Sequence, residues 1–275
     1  MQNDKTPDYS IGIVTYVERF HKSFKQLALD LTKYFPEVER NAVINGFPDR
    51  PKQLKYLKEV TPFLQECGFK HVLTFEEHQP LAKGWNLLVI MSSAPRILIL
   101  NDDCEIGPNF RHELESQYED YEWLFLNGTF SHFLTSKNVV KKVGWFDERF
   151  LGIGHEDGDF ARRGALAGFP YDVGIDCPSL KNHQFQEEFV SFATKKQERS
   201  GNYSTYNERY FKKKWKHAAR PKKGYTLIPI NHIKELRGLP PGKGSYCKLT
   251  RGMETPLFYP IGYTGLIGDK KYAIQ

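Results

Sequence analysis

The sequence predicts an α/β fold with a mixed, mainly parallel sheet flanked by helices. Short β-favouring runs alternate with helical patterns through the first hundred residues, an order that is typical of parallel strands joined by helical crossovers. The apolar run from Arg96 to Leu100 is followed at once by the acidic pair Asp102 and Asp103. Ligands of open α/β sheets bind beyond the carboxyl ends of the strands, so this pair lies where a site is expected.

Apolar periodicity and end signals predict each element of the first half. Residues 11–16 form a β-favouring run, whereas residues 23–34 place their apolar side chains on one helical face. Pro51 suits the first turn of a second helix, which Gly68 ends. In chain order the predicted elements are a strand at 11–16, a helix at 23–34, a strand at 41–45, a helix at 51–67, a strand at 71–75, a helix at 81–92 and a strand at 96–100.

After residue 103 the pattern becomes less regular, as expected where a sheet is completed around a pocket. Ser136 is the expected cap of a short helix, because a serine hydroxyl accepts a hydrogen bond from the first turn. The predicted elements are a helix at 108–118, strands at 121–126 and 129–135, of which the second recrosses the sheet, and helices at 137–143 and 156–167. We assign residues 1–215 to one domain and residues 216–275 to an irregular, basic C-terminal extension.

Composition places the chain among ordinary globular proteins. It has 275 residues, of which 40% are hydrophobic and 26% are charged, enough for one sizeable core. We expect a cytoplasmic protein, because no run of 18 apolar residues occurs and the polar start lacks a signal-peptide pattern. The four cysteines are widely spaced, with no CxxC, which argues against a zinc site and a disulfide framework. They are Cys67, Cys104, Cys177 and Cys247.

Positive charge is concentrated late in the chain. The formal net charge is +6, and the stretch from Arg209 to Lys223 holds eight Lys or Arg residues and no acid. A solvated face is the commonest explanation of such a stretch. Peripheral contact with an anionic membrane surface and binding of a phosphorylated acceptor remain alternatives. Nucleic acid is the least favoured partner, because only the positive charge of this stretch suggests it.

Two acidic clusters carry the chemistry that the sequence suggests. Asp102 and Asp103 offer hard oxygen ligands for Mg²⁺ or Mn²⁺, ions that keep positions open for phosphate oxygens. The second cluster, Glu156-Asp157-Gly-Asp159, follows about fifty residues later and can supply a base. Taken separately, the first is also compatible with a surface turn and the second with an acidic helix N-terminus. Together they suggest group transfer from a nucleotide donor.

The order and spacing of the motifs resemble the inverting, metal-dependent glycosyltransferases of family 2, which have the GT-A (Rossmann-like) fold. The resemblance covers roughly residues 11–215. The matching fragments are Ile13-Val-Thr-Tyr16, Lys83-Gly-Trp-Asn86, Leu100-Asn-Asp-Asp103, Gly144-Trp-Phe-Asp-Glu148 and Glu156-Asp-Gly-Asp-Phe-Ala-Arg-Arg163. The resemblance implies a hexosyltransferase that moves a sugar from a nucleotide-sugar donor, most often a UDP-sugar, to a glycan or lipid-linked saccharide.

The resemblance also implies a divalent metal site. Asp103 matches the aspartate that coordinates the Mn²⁺ or Mg²⁺ ion on the donor diphosphate. Asp102 or Asn101 would contact the donor ribose or a metal-bound water. His183 falls where several relatives place a further metal ligand, and a neutral imidazole suits Mn²⁺ better than Mg²⁺.

Several positions match residues that contact the nucleotide. The resemblance assigns Thr15, Tyr16 and Glu18 to the nucleotide base, because they follow the first strand. Asn86 matches an asparagine at a helix start near the nucleotide. Asn45 stands where many relatives carry a strand-ending aspartate, a departure that leaves its exact contact open.

The second cluster matches the family's catalytic motif. Asp157 would be the general base that deprotonates the acceptor hydroxyl, and neighbouring Glu156 would raise its proton affinity. His155, directly before the pair, would contact the acceptor or a phosphate. Trp145 and Phe146 would form an aromatic wall for the acceptor sugar, although such a pair is as often part of a core.

Two other functions are alternatives to glycosyl transfer. A sugar nucleotidyltransferase also places acids at strand ends, but it usually needs a glycine-rich loop after the first strand. The segment Thr15-Tyr-Val-Glu-Arg19 has no glycine. The second alternative is a non-catalytic module of the same fold that binds a nucleotide-sugar or glycan, which the loss of Asp103 or Asp157 would favour.

Overall fold

The structure, a computed structural model, describes residues 8–47, 49–75, 78–169, 174–183 and 202–215. The predicted extension at 216–275, which includes residues 216–223 of the basic stretch and Cys247, lies outside these residues. Cys67, Cys104 and Cys177 are buried free thiols. Within the described part of the chain, no helix is long and apolar enough to cross a membrane.

The described residues form a chain of strands and helices that alternate regularly up to β4. The strands are β1 Tyr9–Thr15, β2 Arg40–Ile44, β3 His71–Thr74, β4 Arg96–Asn101, β5 Cys104–Ile106, β6 Trp123–Leu126, β7 Thr129–Ser136, β8 Gly174–Ile175 and β9 Leu180–Asn182. The helices are α1 Lys25–Tyr34, α2 Arg50–Glu66, α3 Leu81–Met91, α4 Phe110–Glu115, α5 Lys137–Val143, α6 Glu156–Leu166 and α7 Asn202–Trp215.

The main sheet is mixed and mainly parallel, which confirms the predicted fold class. Its strand order is β3-β2-β1-β4-β7-β6-β8. The neighbouring pairs are parallel except at β7, which runs antiparallel to both β4 and β6. Strand β7 is thus the predicted strand that recrosses the sheet. Strands β5 and β9 pair separately as a small antiparallel sheet.

The central strands are buried on both faces because helices cover the sheet on either side. In β4, Leu98 and Leu100 belong to the core beneath α1 and α2, whereas Ile97 and Ile99 belong to the core beneath α3, α5 and α6. Side chains alternate between the two faces of a strand, so an unbroken apolar run supplies both cores at once.

The capping signals in the sequence work as expected. The Ser136 hydroxyl accepts a hydrogen bond from the Val139 amide at 3.0 Å, which confirms it as the cap of α5. Asp49, for which no cap was predicted, caps α2 through its side chain, which accepts a hydrogen bond from the Lys52 amide. Gly68, just beyond α2, adopts a φ of +73°, a left-handed conformation that favours glycine.

Several local features differ from the prediction, and strands β8 and β9 were not predicted either. Helix α1 is preceded by a π-helical turn, Phe20–Phe24, where only an α-helix from residue 23 was predicted. Helix α4 is shorter than the predicted helix at 108–118. Strand β5 was not predicted at all, because three residues are too few to show a period. It exists through its pairing with β9, in which Cys104 faces Asn182.

Helix α7 forms hydrogen bonds with the segment that precedes α6 and with α6 itself. The Asn207 side chain accepts from the Leu151 amide at 2.9 Å and donates to the carbonyls of Leu151 and Gly154 at 2.8 and 2.9 Å. Two further bonds join the Tyr210 hydroxyl to Asp147 Oδ2 at 2.8 Å and Trp215 Nε1 to Asp159 Oδ1 at 2.9 Å. The segment between α5 and α6 therefore depends on α7 for its conformation.

We predict opposite effects of alanine at two glycines of α6. A β-carbon at Gly164 would lie 1.8 Å from the ring of Trp123, which is 2% exposed, so Gly164→Ala should destabilise the fold by about 2 kcal/mol or more through overpacking. The matched control is Gly158→Ala, because the nearest atom to its new β-carbon is 3.9 Å away. That variant should gain up to about 1 kcal/mol from helix propensity.

Urea denaturation of both variants measures the two free energies of unfolding. An unchanged or increased stability of Gly164→Ala would contradict the close packing of α6 on β6.

Candidate active site

One cavity of about 390 Å³ lies at the carboxyl ends of β1, β2 and β4, beside the N-terminus of α6. This is where ligands bind in open α/β sheets. The cavity brings together eight of the predicted site residues. They are Thr15, Tyr16, Asn45, Asn101, Asp102, Asp103, Glu156 and Asp157. Its walls include the aromatic rings of Trp85 and Phe130.

The acidic pair after β4 is held by an arginine that also lines the cavity. Arg19 is 3% exposed, and its Nη1 donates to Asp103 Oδ2 at 2.9 Å. Its Nε lies 3.8 Å from Asp102 Oδ1. Burial lowers the pKa of Arg19, but the charges of Asp102 and Asp103 outweigh this and raise it overall. Arg19 is thus a permanent cation inside the site.

The acidic pair fits a divalent ion that is shared with a phosphate group. Within the residues that the structure describes, no group of three or more His, Cys, Asp or Glu side chains could hold a metal ion. Mg²⁺ sites, however, commonly use one or two carboxylates and complete their shell with phosphate oxygens and water. Asp103 and Asp102 supply hard oxygens that suit this arrangement rather than a cage made by protein alone.

His183 lies close to the acidic pair without lining the cavity. Its backbone amide donates to the Asp103 carbonyl at 3.1 Å, because β9 ends beside β5. Its ring nitrogen Nε2 is 3.4 Å from Glu105 Oε2. The preceding residue, Asn182, lines the cavity instead. The predicted role of His183 as a metal ligand stays a prediction.

The second acidic pair begins α6, and its two carboxyl groups have different surroundings. Glu156 is 2% exposed, and its Oε2 accepts from the Gly154 amide. Burial, and then the charge of Asp157, raise the pKa of Glu156 to about 8. Asp157 is half-buried, and its Oδ1 accepts from the Gly158 amide at 2.6 Å. Asp157 is therefore the more accessible carboxyl group at the cavity.

The residue before this pair, His155, has a left-handed backbone and does not line the cavity. Its φ is +72°, which is uncommon outside glycine and often marks a functional turn. Its ring lies 5.3 Å from the ring of Phe211, on the side of α7. The predicted contact of His155 with an acceptor is not tested by this geometry.

Asn45 lines the cavity and also shapes its edge. Its Nδ2 donates to the Gln79 carbonyl at 2.9 Å, and its Oδ1 accepts from the Gln79 amide at 2.8 Å. Both ends of the amide group are used, so an asparagine suits this position better than an aspartate, which cannot donate. Asn45 thereby fixes the segment that leads into α3.

Besides His155 and His183, four further predicted residues do not line the cavity. Asn86 is fully buried and bonds to the backbone of Phe146 in both directions, at 3.0 Å each. Phe146 stacks on Phe160 with ring centroids 4.0 Å apart, and Trp145 joins the same core. Glu18 instead forms an ion pair with Lys52.

The sequence interpretation missed several residues that line the cavity, above all Arg19 and His78. Burial lowers the pKa of His78 to about 4, so its imidazole is neutral at ordinary pH. Arg19 follows β1 by four residues, in the same segment as Thr15 and Tyr16, which is the signal that could have found it. Ser131 and Asn182 come from strands distant in sequence, and no local pattern indicates them.

No model of a known protein family matches the sequence, and no curated protein matches it. Several solved structures are similar to the chain. TarS from S. aureus shows 14% identity and a TM-score of 0.45 over 58% of this chain and 33% of its own. The mannosyltransferase PcManGT from Pyrobaculum calidifontis, in complex with GDP-Man and Mn²⁺, shows 14% identity and a TM-score of 0.44 over 63% of this chain and 57% of its own.

Glucosyl-3-phosphoglycerate synthase from Mycobacterium tuberculosis, in complex with Mn²⁺, UDP and glucosyl-3-phosphoglycerate, shows 10% identity and a TM-score of 0.46 over 79% of this chain and 83% of its own. This chain thus spans about a third of TarS and just over half of PcManGT. With similarities this low, the assignment of the fold is based on the strand order of this chain itself. That order, with an acidic pair at the end of β4, is GT-A-like, as the sequence motifs imply.

Proposed function

We propose that this protein is an inverting glycosyltransferase that takes its sugar from a nucleotide-sugar donor of the UDP-sugar class. The acceptor is the hydroxyl of a glycan or a lipid-linked saccharide. One observation carries the proposal. Carboxyl groups from two elements distant in sequence, Asp103 after β4 and Asp157 in α6, line the same cavity.

The acidic pair and Arg19 mark the place of the donor diphosphate. Asp103, with Asp102, would hold Mn²⁺ or Mg²⁺ there, and such an ion stabilises the negative charge that develops on a leaving diphosphate. Thr15 and Tyr16, at the end of β1, line the same cavity and would contact the nucleoside. The aromatic rings of Trp85 and Phe130 offer apolar surface on which a sugar ring can pack.

Asp157 acts as the general base. It accepts the proton of the acceptor hydroxyl while that oxygen attacks the anomeric carbon of the donor sugar. The new C–O bond forms on the face opposite the diphosphate, and the electron pair of the breaking bond leaves with the nucleoside diphosphate. Attack from this face inverts the anomeric centre.

Glu156 complements this base by remaining protonated. Its pKa of about 8 keeps the carboxyl neutral near neutral pH, because it is buried. A neutral neighbour adds no second negative charge at the point where the acceptor oxygen becomes partly negative. The two adjacent carboxyl groups thus have separate tasks, which their surroundings impose.

We predict that Asp157 and Asp103 variants separate catalysis from binding. Asp157→Asn should reduce the transfer rate by about 100-fold or more, since a general base contributes this much, and it should leave binding of UDP unchanged. Asp103→Asn should instead weaken UDP binding in the presence of Mn²⁺. Product formation from a panel of UDP-, GDP- and dTDP-sugars measures the first effect, and calorimetry measures the second.

Asp120→Asn, at an exposed loop residue, is the control and should behave as the wild type does. A near-normal transfer rate of Asp157→Asn would show that Asp157 is not the general base. Failure of the folded wild-type protein to turn over any donor of the panel would overturn the proposed function.

We further predict that Glu156 makes the stability of the protein fall as the pH rises. The pKa of its carboxyl is raised from 4.5 to about 8 in the folded state, so the folded state binds the proton more tightly than the unfolded state. The stabilisation is complete below about pH 4.5 and is lost as the pH rises to about 8, by at most about 1.4 kcal/mol per pH unit.

Glu156→Gln keeps the shape of the side chain and removes the titration. Its stability relative to the wild type should therefore increase between pH 5 and pH 8, as measured by urea denaturation at several pH values. Glu119→Gln, at an exposed residue, should show no such trend. A difference between wild type and Glu156→Gln that does not change with pH would contradict the buried, protonated state.

A further inference from the structure

Arg19 is held firmly at the acidic pair. Its amide donates to the Tyr16 carbonyl at 3.1 Å, and its own carbonyl accepts from the amides of Ser23 and Phe24 at 3.0 and 3.1 Å. The backbone is thus fixed by the start of the π-helical turn. The side chain is 3% exposed and extends along the cavity to Asp103. The guanidinium group is therefore built into the site and is not a surface charge that happens to lie nearby.

This position conflicts with a divalent ion at the same carboxylates. Arg19 donates to Asp103 Oδ2 at 2.9 Å, so an ion that coordinates Asp103 would lie close to a buried positive charge. Repulsion between like charges is strong where water is largely excluded. Asp102 and Asp103 together carry two negative charges, of which Arg19 already neutralises one. Without a further anion, the site is thus poorly suited to bind a metal ion in addition to the guanidinium group of Arg19.

A diphosphate changes this balance. It brings additional negative charge and phosphate oxygens, and a guanidinium group binds phosphate through two parallel hydrogen bonds. Arg19 lines the same cavity as Asp103, so a diphosphate bound in this cavity can compete with the carboxylate for the guanidinium group. Asp103 is then available to the ion.

We propose that Arg19 makes divalent-metal binding conditional on the donor diphosphate. Before the nucleotide enters, Arg19 is the counter-ion of Asp102 and Asp103 and opposes the metal. When the diphosphate enters, Arg19 binds it and releases Asp103. Metal and nucleotide then bind cooperatively, and each raises the affinity for the other by the same factor. The inference deepens the proposed function and depends on it only for the identity of the diphosphate.

Mn²⁺ binding followed by electron paramagnetic resonance tests the inference. We expect Arg19→Met to bind Mn²⁺ alone about tenfold tighter than the wild type, within the usual range of coupling between sites. Arg19→Lys keeps the positive charge and should stay close to the wild type. Adding Asp103→Asn to Arg19→Met should remove the gain. Each variant is first checked by thermal denaturation.

Repeating the titration with saturating UDP measures the cooperativity, with the Mn²⁺ bound by UDP alone subtracted from a protein-free control. The wild-type protein should bind Mn²⁺ at least about tenfold more tightly with UDP than without it. The increase in affinity should be smaller in Arg19→Met. The inference is overturned if Arg19→Met binds Mn²⁺ alone no more tightly than the wild type.

It is also overturned if UDP leaves the Mn²⁺ affinity of the wild type unchanged, a result that requires no folded variant. Failure of the proposed function would appear as a lack of sugar transfer. The comparison with Mn²⁺ alone involves neither sugar nor acceptor, so the two failures are distinguishable.

Discussion

Strand β4 has to be apolar on both faces and yet deliver two carboxyl groups to the cavity at its end. Its middle residues supply both hydrophobic cores, so a shift in register would carry Arg96 or Asn101, the polar ends of the strand, into one of these cores. That constraint fixes the height at which Asp102 and Asp103 emerge from the sheet. Arg19 then compensates their charge from the segment that follows β1, because β1 runs parallel to β4 and ends at the same edge.

The regular half of the fold could be predicted because local pattern and tertiary environment agree there. Strands β1 to β4 carry short β-favouring runs, and Asp49 and Pro51 mark the start of α2, the helix between β2 and β3. Strand β5 and the π-helical turn could not be predicted. The former exists only through pairing with β9, some eighty residues away, and the latter differs from an α-helix only in its hydrogen bonding.

The candidate site was predictable where residues follow strand ends or begin a helix, as Thr15, Asp103 and Asp157 do. It was not predictable where the direction of a side chain decides whether the residue lines the cavity. Asn86 belongs to a matching motif but bonds to the backbone of Phe146, away from the cavity. Arg19 carries no motif, yet its burial against two acids makes it central to the electrostatics of the site.

The docking of α7 also sets the order in which the site can be completed during synthesis. Asn207 bonds to Leu151, which precedes it by 56 residues. A nascent chain that has released α6 but not α7 from the ribosome therefore lacks the group that fixes the backbone before Glu156. The sheet and the acidic pair of β4 can form earlier, so the donor side of the cavity is assembled before the side that holds the base.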